Sequence, residues 1–264
     1  MSGKERKKTP VLRAYELMRE TLFRKTFVLA VHMIWFAVYG MFWLLFLPTE
    51  MEVGEFIYIW GGFFLPLALS AGIFGDDMAS GRICTLVTKP FWPGTLYLYR
   101  LLGLSLQGAA SILIAGGAVF LLDMLFGKGT PNSLGLWLFS TWLLFNACAA
   151  LATTVSIVVP RSYNSLLVLL GAAAIYLLVD VLWGYWLEQG AAAMVRNVIR
   201  FAGLPFGLIH DLAKGDYGKY SLSVGKLGFV KSLACTVHCL ILTTAYALAG
   251  IAILTRRQFS LHRD

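Results

Sequence analysis

The chain has 264 residues, of which 58% are hydrophobic and 14% charged, with a net charge of +8 and a mean hydropathy of +0.73. A water-soluble domain carries about 25% charged residues, so this composition excludes an ordinary soluble enzyme or binding module. Lipid is the expected solvent for most of the surface.

The first 25 residues form a basic leader in two parts. Lys4, Arg6, Lys7 and Lys8 make a solvated tail. From Pro10 onward, Val11, Tyr15, Met18 and Leu22 recur at spacings of three and four, with Arg13, Glu16, Arg19 and Glu20 on the other face. That pattern predicts an amphipathic helix, and Pro10 suits its first turn, where the missing N–H costs nothing. Two readings stay open: a plain cytosolic extension, or an interface helix lying along the inner membrane surface. The leader is short and lacks an interleaved stacking platform, so a nucleic-acid patch is the weaker reading.

Six apolar runs follow: Thr26–Leu47, Glu55–Gly75, Leu101–Phe126, Leu134–Val159, Ser165–Leu187 and Phe229–Leu254. Crossing the hydrocarbon core takes roughly 20 apolar residues in a helix. Length and lack of strict alternation favour helices over barrel strands. The expected fold is an all-α integral membrane protein with six spans. The first run ends in Leu47-Pro48-Thr49-Glu50 with no small-x-small site, so it reads as a retained span.

Fifteen Lys and Arg residues fall on the side shared by both termini and seven on the other. By the positive-inside rule both termini are cytoplasmic. The excess of positive charge then reads as topology and contact with anionic headgroups.

Between the second and third runs lies Asp77-Met78-Ala79-Ser80-Gly81-Arg82-Ile83-Cys84-Thr85-Leu86-Val87-Thr88-Lys89-Pro90, followed by Arg100-Leu101-Leu102-Gly103. Gly81 permits a tight turn or a close backbone approach. Ile83, Leu86 and Val87 predict a short helix with an apolar face, stopped by Pro90 and Pro93. That face needs covering, either by the underside of the chain's own bundle or by a partner. The order of acid, Gly, apolar block, Pro, then a basic residue with Leu-Gly resembles the cytosolic loop of ABC-2 type transporter permeases. Here Asp77 stands for the usual Glu and Arg82 for the usual Thr.

The resemblance implies a 26–264 permease domain with a cytosolic coupling loop over 76–100 and an extracellular segment over 188–228. It implies that Asp77, Gly81, Arg82, Ile83, Leu86, Val87, Pro90 and Arg100 couple the chain to a separate ABC ATPase. It further implies a second permease copy or homologous permease, export, and a multi-pass place in the plasma membrane, as in a bacterial inner membrane. The leader would lean on the ATPase, and short helices near Leu204-Pro205-Phe206 would dip back toward the lipid. The alternative for that last segment is an ordinary external loop.

The chain lacks the Gly-x-x-x-x-Gly-Lys-[Ser/Thr] phosphate loop, the His-Glu-x-x-His pair and the Gly-x-Ser-x-Gly elbow. No catalytic residue is expected, and ATP belongs to a partner. Asp180, inside the fifth run, is a candidate for the translocation path or a structural hydrogen-bonding group, because a carboxylate there faces protein or a wet cavity. Gln107 and His32 read as interhelical hydrogen-bonding residues. Cys235, His238 and Cys239 share a helical face but offer only three ligands, so no metal or other cofactor is expected. A membrane scaffold or assembly factor without a transport cycle is the rival function.

Overall fold

The structure is a computed structural model that describes residues 16, 19–21, 23, 25–46, 57, 60–87, 92–126, 134–159, 161–177 and 226–257. Every regular element among them is a helix. The first, α1 (Thr26–Phe46), has 21 residues, about 32 Å at 1.5 Å per residue. Its Phe36 ring sits 4.5 Å from the Trp60 ring at the start of the second apolar run.

That second run departs from the continuous helix expected over Glu55–Gly75. A π-helical turn, Trp60–Phe64, leads into α2 (Leu65–Ser70). Pro66 has no N–H for the carbonyl four residues back, and a locally widened turn accommodates that loss. Residues 71–74 then leave the helix, with Gly72 at φ +67°, before α3 (Gly75–Ala79) resumes it. A turn at Ser80 and Gly81 connects to α4 (Arg82–Val87).

The third run begins earlier than expected, because α5 extends over Pro93–Phe126. Pro93, expected to stop the preceding helix, instead opens this one, a position where its fixed φ and missing donor are favourable. The remaining helices are α6 (Leu134–Val158), α7 (Tyr163–Leu177) and α8 (Lys226–Arg256). These start close to the expected bounds. Residues 178–225, which contain Asp180 and most of the predicted extracellular segment, lie outside the described residues.

Among the described residues, three helical stretches are long and apolar enough to cross a membrane: Pro93–Leu121, Leu138–Val158 and Thr236–Arg256. The shorter apolar stretches Thr26–Val38 and Tyr163–Ala174 accompany them. The middle helix, α6, is the central post, with 72% of its apolar window buried against 44% for α5 and 22% for α8. One core cluster joins α1, α2, α4, α5, α6 and α8 around Trp60, Phe74, Tyr97 and Leu104. A second joins α2, α6, α7 and α8 through Leu67, Leu144, Cys148, Val168 and Leu242. The large apolar side chains that remain exposed, such as Phe27, Ile34, Leu113 and Leu240, face outward as a lipid-solvated surface requires.

Candidate functional site

The interruption at 71–74 frees backbone donors and acceptors at a buried place near the α6–α7 end of the bundle. In a low-dielectric interior each such group costs several kcal/mol if left unpaired, so the neighbouring helices supply side chains to meet them. The Asn164 side-chain oxygen accepts the Gly72 N–H at 3.0 Å, and its amide donates to the carbonyls of Ser70 and Ala152, both at 3.0 Å. Ser156 Oγ on α6 accepts the N–H groups of Phe74 at 2.9 Å and Gly75 at 3.1 Å. Arg100 on α5 donates through Nη1 to the Ile73 carbonyl at 2.9 Å. Ser165 Oγ reaches the Leu67 carbonyl at 2.5 Å.

Arg100 uses its second amino group, Nη2, to bind the carboxylate of Asp77. Both side chains are 1% exposed. An isolated buried charge is strongly unfavourable, whereas a hydrogen-bonded opposite pair offsets much of that cost. The Phe74 ring lies under the guanidinium at 5.2 Å, a cation–π arrangement, and stacks on Tyr97 at 6.0 Å with an interplanar angle of 8°. Tyr97 continues the network: its hydroxyl meets Thr154 Oγ1 at 2.9 Å and the Ala150 carbonyl at 3.0 Å. Thr154 in turn donates to the Tyr246 carbonyl of α8 at 2.8 Å. One polar chain thus ties the broken second apolar run to α5, α6, α7 and α8.

Two glycines are required here for different reasons. At Gly75 an added Cβ meets the backbone of Arg161 and the carbonyl of Val159, so α3 packs directly on the α6–α7 turn. Gly81 has φ +70° and open space around it, so it serves the tight turn and not a close approach.

The residues expected to form the coupling loop therefore separate into two groups. Asp77 and Arg100 meet as a buried pair. Ile83 and Leu86, 3% and 7% exposed, pack into the chain's own core. Of the two coverings considered for the α4 face, this is the bundle itself. Gly81 and Arg82 stay at the surface, and Arg82 reaches Glu20 of the leader at 2.8 Å. An open cavity of about 650 Å³ lies there, lined by Glu16, Arg19, Glu20, Phe23 and Arg82. Val87 ends α4. Pro90 lies outside the described residues.

Sequence reasoning missed Asn164, Ser156, Phe74 and Tyr97. The local clue was Ser70-Ala71-Gly72 followed by two aspartates near the end of an apolar run, which suits a helix break better than a continuing span. Gln107 corrects another expectation, since its buried amide has no hydrogen-bond partner among the described residues. The Trp60 indole N–H and the Thr153 hydroxyl share that condition. Among the described residues no three His, Cys, Asp or Glu side chains converge to hold a metal. No protein-family model matches the chain, and no curated protein matches it.

Proposed function

We propose that this chain is the membrane-spanning permease subunit of an ABC-2 type exporter, six spans in a cell membrane, paired with a second permease and driven by a separate ATPase. The observation that supports the reading most is the Asp77–Arg100 pair. It welds the acid-to-Pro loop segment to the start of α5, the two parts that carry the sequence resemblance. A push on α4 or on the leader tied to it through Arg82 and Glu20 then moves α3 and α5 together. ATP binding on the partner would supply that push, and the permease would respond by shifting between states of different access. ATP is bound by the partner, and this chain needs no cofactor of its own. Asp180 keeps its role as a candidate for the path.

The test must use an exposed position, because Ile83 and Leu86 are buried and a charge at either reports on folding. Arg82 is 47% exposed at its side chain. The full chain purified from its host membrane should bring an ATP-hydrolysing subunit with it, and Arg82→Glu should weaken that association while leaving the melting temperature unchanged. An intact complex without any ATP-binding subunit would instead favour the membrane scaffold.

A further inference from the structure

The two helices α7 and α8 lie on either side of the last turns of α6. Val168 and Ala172 of α7, and Leu242 and Tyr246 of α8, share a cluster with Leu151 and Val155 of α6. Leu151, Val155 and Val158 follow one another at spacings of four and three, so they lie on one face of α6. Further up α6, Ala147 and Leu144 on that side are fully buried. Going toward the turn the face opens: Leu151 and Val155 are half-buried and Val158 is 59% exposed. From this rise in exposure we infer a shallow crevice between the two flanking helices, with an apolar floor and its open end toward the α6–α7 turn.

Three arginines stand at its mouth. Arg161 occupies the turn at φ 54°, and its backbone is held by the close packing of Gly75. Arg257 lies one turn beyond Ile253 on α8 and donates from Nη1 to the Ile157 carbonyl, which brings its guanidinium to the end of α6. Arg256 precedes it, and all three are exposed. Among the described residues no ion pair joins any of the three to a carboxylate. The mouth thus concentrates positive charge beside an apolar slot, at the membrane end that the charge count assigns to the cytoplasm.

We propose that this crevice holds an anionic phospholipid, with its phosphate on Arg161, Arg256 and Arg257 and an acyl chain along Leu151, Val155 and Val158. A zwitterionic lipid fits the floor equally well but gains less at the mouth. A free phosphate fits the mouth but has no use for the floor. The charge complementarity and the apolar floor together select the lipid. The inference needs only a membrane setting and does not depend on the transport reading.

The test is native mass spectrometry of the full chain in detergent, with phosphatidylglycerol or phosphatidylcholine added, plus a competition arm with inorganic phosphate. Phosphatidylglycerol should be retained in preference to phosphatidylcholine. The combined variant Arg161→Asn, Arg256→Gln, Arg257→Gln should lower that retention on the order of tenfold to a hundredfold, as each basic residue near the surface contributes about fivefold. Asn is chosen at Arg161 because it tolerates positive φ. Val158→Trp fills the floor without touching the charges and should lower retention of both lipids. It also keeps the test decisive if the triple variant fails to fold. Unchanged preference in a folded triple variant overturns the proposal. So does displacement by phosphate with a silent Val158→Trp, which would make the mouth a soluble-anion site. Equal retention of the two lipids by the unaltered chain overturns it as well.

Discussion

Asn164, the second residue of α7, accepts the backbone N–H of Gly72 at 3.0 Å and so holds the unwound turn of the second apolar run. The same side chain also bonds the carbonyls of Ser70 and Ala152, so one amide joins three helices. This is what makes a helix break tolerable at a buried position. The polar backbone is exposed to protein, not to lipid.

Replacing Asn164 by Leu should therefore cost more than an ordinary surface change. It strands the Gly72 N–H, at about 1–3 kcal/mol, and removes one of two bonds at the Ser70 carbonyl, which keeps the Ile73 N–H. Asn164→Asp keeps the acceptor for Gly72 but, when ionised, sets a buried negative charge against the Ser70 and Ala152 carbonyls, so it should cost at least as much as Leu and recover as the pH falls and the carboxyl is protonated. Thermal unfolding in detergent micelles would rank the three; equal melting temperatures would show that the clamp is dispensable.

The Asp77–Arg100 pair should show strong coupling. Removing one partner, as in Asp77→Leu or Arg100→Met, leaves a buried charge unmatched and should cost about 3–5 kcal/mol. The double variant should cost clearly less than the two singles added together, because no lone charge remains. A double-mutant cycle on denaturant unfolding measures this, and additive effects would mean that the two charges act independently. Arg100 also serves the Ile73 carbonyl, so Arg100→Met should be the worse single.

The loop glycines should differ in their tolerance. At Gly81 the φ of +70° is the obstacle and space is not. Gly81→Asn should then be nearly silent, while Gly81→Ala costs about 1–2 kcal/mol. At Gly75 even Ala meets the backbone of the α6–α7 turn, so Gly75→Ala should impair folding. Expression of monodisperse protein separates the cases, and a well-behaved Gly75→Ala would contradict the packing described.

Gln107 offers the opposite sign. Its amide is buried without a partner among the described residues, so Gln107→Leu should leave stability unchanged or raise it by about 1–2 kcal/mol. A marked loss of stability would reveal a partner for the amide. A normal fold with altered transport would give it a place in the path.

The charge distribution predicts topology. Cysteines introduced at Ser2 and Gln258 should react only with cytosolic reagent, and one at Gly129 only with external reagent. Cytosolic labelling at Gly129 would rule out the six-span arrangement.

Several features were legible in the sequence alone, because they rest on composition and local periodicity. The membrane setting follows from the low charge and the long apolar runs. The bounds of α1, α6 and α8 follow from where polar residues interrupt those runs. The turn at Gly81 and the apolar α4 helix follow from residue type and spacing. Asp77 and Arg100 enter the sequence reading only through the family resemblance, as coupling residues and not as a pair.

Tertiary structure alone decided how these parts meet. A hydropathy window averages over a single broken turn, so the second run reads as continuous although residues 71–74 are not helical. The break survives because Asn164 and Ser156, more than 80 positions away in the chain, pair its backbone groups, and no local pattern encodes that. Nor does spacing reveal which surface covers Ile83 and Leu86, or that Arg100 turns inward to Asp77. Those outcomes depend on the cost of an unpaired polar group in an apolar interior, and that cost exists only once the helices have packed.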